Sequence, residues 1–230
     1  MKFRTLLFLI TIILLSTNIK AQTLGGSLML GLPQGEFKET VDRLGYGLQV
    51  HGTIWSPSKL RPFTVGFNLG YMVYGEESFK RRFSLTNPDV YVDVNRTNSL
   101  VNFHLLFQVS PFTGTVRPYV EGLFGGSYVF TSTTIKNEWN DEDVASSTNF
   151  DDYAWNYGGG AGLLIRLTGE MGDVSSLYLH LKARYLFGSE TEYLAEGSII
   201  IDGQTGDVYY DVLKSRTDLL TIHIGVVAYF

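Results

Sequence analysis

The last fourteen residues, TDLLTIHIGVVAYF at 217–230, constrain the fold more than any other stretch. Every even position from 220 onward is apolar: Leu220, Ile222, Ile224, Val226, Ala228 and Phe230. The odd positions include Thr221, His223, Gly225 and Tyr229. A period of two belongs to a strand with two unlike faces. The apolar face is unbroken and ends on an aromatic, where a strand closing a soluble sheet usually ends in polar residues that fray. An apolar face of about ten residues suits a strand that crosses lipid, whose outer side must be apolar and whose ends carry aromatic rings.

Seven further segments repeat the pattern. Residues 24–32 align Leu24, Leu28, Leu30 and Leu32 on one face. Residues 46–55 set Tyr46, Leu48, Val50 and Ile54 against Gln49, His51 and Thr53. Residues 62–74 set Phe63, Val65, Phe67, Leu69, Tyr71 and Val73 outward, with Thr64, Gly66, Asn68 and Gly70 inward. Residues 97–109 place Val101, Phe103, Leu105, Phe107 and Val109 against Asn102, His104 and Gln108. In 116–130, Val120, Phe124, Tyr128 and Phe130 oppose Tyr119 and Glu121. In 153–166 the outward set is Tyr153, Trp155, Tyr157, Ala161, Leu163 and Ile165. In 176–187, Leu177, Leu179, Leu181, Ala183, Tyr185 and Phe187 alternate with Ser176, Tyr178, His180, Lys182 and Arg184. Each segment is long enough to cross a bilayer as a tilted strand, which takes about 9–11 residues. An even strand number and closure are both required, because an open edge in lipid leaves backbone groups unpaired.

The connections alternate. Short turns follow the second, fourth and sixth segments (SPSKLR, SPFTGT and residues 168–175). Longer loops follow the first, third, fifth and seventh, growing along the chain. This is the asymmetry between periplasmic turns and extracellular loops, and it predicts both termini on the periplasmic side. A soluble eight-stranded lipocalin-like barrel would invert the chemistry, with an apolar cavity and a polar exterior. The seventh segment opposes that, since it would bury His180, Lys182 and Arg184 while exposing Leu177, Leu179, Leu181 and Phe187. The expected fold is therefore all-β, an eight-stranded antiparallel up-and-down transmembrane barrel. Residues 80–95 and 197–212 read as hairpins within long loops. The third to eighth strands are expected to continue past the membrane as a protruding sheet. Residues 136–152 and 190–218 are acidic.

In pattern and C-terminal sequence the mature chain resembles the small outer-membrane β-barrels of Gram-negative bacteria, of the OmpA/OmpX type. In that family a C-terminal Phe preceded by alternating apolar residues is read by the barrel-assembly machinery. The resemblance implies that role for Phe230, Tyr229, Ala228, Val226 and Ile224, with Ile222 before them. It implies partners in outer-membrane lipid and lipopolysaccharide, and a role in envelope structure, adhesion or surface interaction. Small barrels of Bacteroidetes, whose leaders often end like Lys20-Ala21-Gln22, sometimes serve as accessory subunits of secretion, motility or uptake complexes, so a protein partner is a second expectation. Nothing follows the eighth strand, so no periplasmic peptidoglycan-binding domain is expected.

Composition agrees. Charged residues are 18%, below the roughly 25% usual in soluble domains. The formal net charge of -5 gives no basic field for nucleic acid. Cysteine is absent, which excludes disulfides, thiolate metal sites and a lipidated N-terminal Cys. Lys2 and Arg4 precede an apolar run at 6–15, then STNIKAQ, the pattern of a cleaved signal peptide over 1–21. The mature domain is 22–230.

No catalytic, cofactor or metal site is predicted. All four histidines, His51, His104, His180 and His223, fall on inward parity at different strands and depths, and read as polar filling. Glu121, Lys182 and Arg184, with Arg166, are expected to form an interior ion-pair network that plugs a lumen with room only for side chains. The His51/Thr53 pair is weak support for the lipid-modifying chemistry some barrels of this size carry, and no His-x-Ser stands at an outer strand end. The acidic run at 140–143 lacks the spacing of a calcium loop.

Overall fold

The computed structural model describes residues 22–82, 91–137, 143–202 and 207–230. Residues 1–21, 83–90, 138–142 and 203–206 lie outside them. Eight long strands close into an antiparallel barrel. They are β1 (Thr23–Pro33), β2 (Gly45–Thr53), β3 (Phe63–Arg82), β4 (Tyr91–Val109), β5 (Val116–Asn137), β6 (Asp143–Thr168), β7 (Ser176–Gly188) and β12 (Leu219–Tyr229). Each pairs with its chain neighbour, and β12 returns to β1 from Thr23↔Tyr229 to Pro33↔Leu219, which removes every edge in the wall.

Parity holds around the wall. Leu28, Leu48, Phe67, Leu105, Phe124, Trp155 and Ile224 face out and are exposed, while Gln49, Asn68, His104, Glu121, Lys182 and Arg184 face in and are buried. Outward aromatics stack across strands, as in Phe103 on Tyr153, Phe124 on Trp155 and Tyr157 on Phe187. A barrel with this dressing would expose its oily side to water if it were soluble. The chemistry suits lipid outside and packed polar groups within.

Three layers fill the interior. At the end carrying the short turns, Tyr119, Leu164, Tyr178, Val227 and Tyr229 form an apolar floor. Arg117 lies over the rings of Tyr178 and Tyr229, 4.6 and 5.2 Å from their centroids. The middle layer is polar. At the loop end Met29, Phe37, Met72, Tyr74, Val129, Leu186, Tyr193 and Leu219 form a second apolar layer.

Several features depart from the sequence-based expectation. A helix, α1 (Gly35–Thr40), occupies the first loop. A single turn and a half is too short to persist alone. Phe37 holds it, fully buried against the edges of Tyr74 and Tyr193 at centroid distances of 5.7 and 5.2 Å. The wall β3–β6 projects beyond the membrane band, but β7 and β12 do not join it. The chain between them forms two separate hairpins, β8 (Glu190–Tyr193) with β11 (Leu213–Arg216) and β9 (Ile199–Ile201) with β10 (Val208–Tyr210). The loops after β3 and β5 are therefore not a growing series, because strand pairing consumes them out to Arg82↔Tyr91 and Lys136↔Asp143. Val73, expected outward and exposed, is buried where the β3–β4 register shifts between Val73 and Gly75. The hairpin expected at 197–212 is present as β9–β10. The turn of the one at 80–95, and most of the acidic run at 140–143, lie outside the described residues.

Candidate functional site

The middle layer is organised by one guanidinium. Arg184 on β7 pairs with Glu121 on β5 through Nε, and its Nη2 donates to the second carboxylate oxygen at 3.1 Å. Its Nη1 donates to Gln49 Oε1 on β2 at 2.6 Å and to Asn68 Oδ1 on β3 at 2.8 Å. The fork geometry of arginine lets one side chain tie four strands across the lumen. Glycine at 160, beside Arg184 on β6, keeps the room this side chain needs.

A second chain of bonds lines β3–β6. His104 Nε2 meets Asn156 Oδ1 at 2.6 Å, and its Nδ1 lies 3.4 Å from Asn68 Nδ2. Asn156 donates to the Ser127 hydroxyl, which donates to Asn102 Oδ1. Every partner is buried.

The other wall is different. Among the described residues, Lys182 Nζ, Ser27 Oγ, Gln49 Nε2 and the Nδ1 atoms of His51, His180 and His223 are buried without a hydrogen-bond partner. They sit on β7, β12, β1 and β2, which are contiguous. Cross-strand pairing sets His223 opposite Lys182 and Gly225 opposite His180. The His51 and His180 rings stand 5.1 Å apart, so two histidines expected at different depths meet. Tyr119 caps His180 through its hydroxyl, and His223 Nε2 lies 2.9 Å from Thr221 Oγ1.

Arg166 is a correction. It is exposed at the turn end, with Nε and Nη2 donating to Tyr178 Oη at 3.2 and 3.0 Å. The β6–β7 register shifts between Arg166 and Thr168, so the lumen ends above it and Tyr178 fills the space below the polar layer. Thr53, which could have served His51, bonds instead to Thr23 and to the Trp55 carbonyl at 3.2 Å. Among the described residues no group of three or more His, Asp or Glu side chains is placed to hold a metal ion.

At the chain terminus Ile224, Val226 and Phe230 are exposed, Ala228 is half-buried on the same face, and Tyr229 points in. The Phe230 N–H donates to the Gln22 carbonyl at 3.0 Å, joining the two ends of the wall. A furrow of about 550 Å³ on the outer wall, lined by Leu24, Val50, Phe67, Leu105, Phe124 and Trp155 among others, is part of the lipid-facing surface rather than a solvent-reached site.

At the loop end α1 and the residues between β7 and β12 lock over the barrel. Glu36 Oε2 accepts the Arg216 N–H at 3.0 Å, and Tyr193 Oη is shared by Thr40 and Ser215. Asp152 on β6 accepts the Thr191 hydroxyl at 2.7 Å and the Glu192 N–H at 2.8 Å. Burial works to raise the Asp152 pKa, but these donors and the Tyr153 N–H outweigh it and hold the carboxyl below its usual value.

The wall is closed, apolar outside, polar in the middle and capped at the mouth. Its architecture is that of the small outer-membrane β-barrels. No family model and no curated protein matches the sequence. Among solved structures the chain is similar to Neisserial surface protein A, with 9% identity over 90% of this chain and 96% of that one and a TM-score of 0.42. It is also similar to a major outer membrane protein of Thermus thermophilus, at 13% identity, 90% and 99% coverage and a TM-score of 0.41. The attachment invasion locus protein Ail of Yersinia pestis gives 13% identity, 90% and 95% coverage and a TM-score of 0.37.

Proposed function

We propose that the protein is a non-enzymatic resident of the outer membrane that presents a folded extracellular cap. The observation that carries this reading is the pairing of an oily exterior with a lumen closed at both ends. A closed lumen leaves no path for solute, so the surface at the loop end is the part with work to do. That surface comprises α1, the β8–β11 and β9–β10 hairpins and the projecting wall of β3–β6. In this reading residues 1–21 are a cleaved leader, both termini are periplasmic, and lipopolysaccharide surrounds the cap.

The cysteine-free sequence allows a direct test. Single Tyr209→Cys and Lys59→Cys variants put a thiol at exposed positions on opposite ends. A membrane-impermeant maleimide on intact cells should label the first and spare the second. The reverse pattern, or labelling of neither in the membrane fraction, overturns the orientation or the location.

The terminal residues Phe230, Tyr229, Ala228, Val226 and Ile224 serve in this account as the signal for the assembly machinery. Deleting Phe230 should sharply lower the yield of heat-modifiable barrel; an undiminished yield would remove that role.

An accessory role in a surface complex is the second reading. It is favoured by β9–β10, where Ile200, Val208, Tyr209 and Tyr210 are all exposed above the membrane. Pull-down of the detergent-solubilised barrel with mass spectrometry separates the two: a stoichiometric partner selects the accessory role.

A further inference from the structure

A cavity of about 190 Å³ opens at the loop end, between α1, the irregular stretch of β3 and the turn after β8. Val41, Tyr74 and Ala195 give it an apolar side. Thr40, Asp42, Arg43, Asn98 and Glu196 supply polar groups.

Two features make it a built site. The first is Asn98, only 5% exposed. Its Oδ1 accepts the Thr131 hydroxyl at 2.7 Å, but no acceptor for its amide nitrogen is present among the described residues. That nitrogen lies at the wall formed by Gly75, where a Cβ would stand 2.8 Å from it. Glycine there keeps the amide free and the cavity open. The nitrogen is not sealed among the buried, partnerless polar atoms but borders the open cavity, so a ligand hydroxyl can take the place of water there. The second is the braced rim. Arg43 Nη2 pairs with Glu196 Oε2 at 2.8 Å, while Glu196 Oε1 accepts the Glu76 N–H at 3.1 Å. Asp42 stands beside this pair with no ion pair of its own among the described residues.

The chemistry selects a ligand class. An anion would face Asp42 and Glu196, a cation would face Arg43, and a wholly apolar molecule would leave Asn98 unpaired. A neutral ring bearing hydroxyls, with one C–H face for Val41 and Ala195, satisfies every group. The volume lies below the roughly 300 Å³ at which pockets for drug-sized molecules begin. It is on the scale of one sugar ring.

We propose that this cavity binds a single neutral hexose unit of a glycan, with Asn98 donating to a hydroxyl, Asp42 accepting from one, and Arg43 and Glu196 fixing the rim. The inference rests on the reading that the cap faces outward, where glycans are. Binding to solubilised protein does not depend on which end faces out, so its failure and a failure of surface labelling are separable.

The test uses the full mature barrel in phospholipid nanodiscs and ligand-observed saturation-transfer NMR. The probes are D-glucose, D-galactose, D-mannose and N-acetyl-D-glucosamine, each alone. At least one should receive saturation. Asn98→Leu and Asp42→Ala should each weaken its binding about tenfold, the loss of one hydrogen bond. Heat-modifiable migration checks that each variant is folded. Asp42 is exposed on a loop, so its variant carries the test if Asn98→Leu does not fold. No transfer from any of the four sugars to folded wild-type protein, or equal binding by Asp42→Ala, overturns the proposal. Adding lipopolysaccharide to the nanodisc identifies the source. Competition assigns the sugar to the surrounding glycolipid, and persistence of the signal assigns it to a free or host-borne glycan.

Discussion

The two walls of the lumen carry similar polar residues and treat them in opposite ways. Along β3–β6 the donors and acceptors of Asn68, Asn102, His104, Ser127 and Asn156 meet one another, and Arg184 reaches across to join Glu121 to them. Along β7, β12, β1 and β2 the groups of Lys182, Ser27, His51, His180 and His223 face the same interior with atoms left over. Strand parity places both sets inside and says nothing of how they pair. Pairing depends on side-chain length and on which residues sit opposite through the barrel's centre. The contrast teaches that a polar lumen has two jobs in one space: one side ties strands together, and the other fills volume at a cost.

The contrast breaks most sharply at Glu121. Replacing it with Gln leaves the Arg184 guanidinium buried without its carboxylate, facing only neutral acceptors: the Gln49 and Asn68 oxygens and the one oxygen of the new amide. Removing one partner of a buried ion pair costs about 3–5 kcal/mol. The expected loss is near the lower end of that range, because neutral acceptors remain on three sides. It is read as a lower urea midpoint for the folded, heat-modifiable band in lipid vesicles. An unchanged midpoint would mean that the paired wall does not hold the barrel.

Lys182 should behave the other way. Its ammonium lies one inward position from Arg184 and gains no partner, so Lys182→Met removes a desolvated charge and keeps a similar volume. Apolar replacement of buried charge is often neutral or stabilising by about 1–4 kcal/mol. The expected midpoint is unchanged or raised in the same assay. A loss as large as that of Glu121→Gln would show that the two walls are energetically alike.

How much of this was legible beforehand divides along physical lines. The period of two fixed in and out for nearly every membrane residue, since Leu179 or Ile224 can face only one way once register is set. Val73 escaped because a shift in register interrupts the alternation beside Tyr74. The projection of β3–β6 follows the expectation, and polar runs such as Ser132-Thr133-Thr134 pair in register there; what escaped is the chain after β7, which leaves that sheet for the separate hairpins β8–β11 and β9–β10. Helix α1 left a short trace, Phe37 and Val41 four residues apart in a mostly polar stretch, and burial of both in one cluster decides its fold. Arg166 followed the inward parity of β6 one step past the end of the lumen. The meeting of His51 and His180 required the closure of β12 on β1, a relation between distant segments that local periodicity does not contain.

The cap provides the gentlest probe of the comparison, because it depends on neither wall of the lumen. Asp152 ties β6 to β8 through Thr191 and Glu192, and these bonds favour its ionised form. A carboxyl with a lowered folded-state pKa contributes stability that is present above its unfolded value, about 3.9, and fades as pH falls through the lower folded one. The group is partly open to solvent, so the contribution is small. Amide hydrogen exchange should accordingly quicken in β8 and β11 as pH drops below about 4, relative to the intrinsic rate and before any change in the barrel strands. In Asp152→Asn that acid-dependent step should vanish. Exchange that quickens equally in β8 and in β1 would mean that the acid response belongs to the barrel as a whole and that the cap is not separately latched.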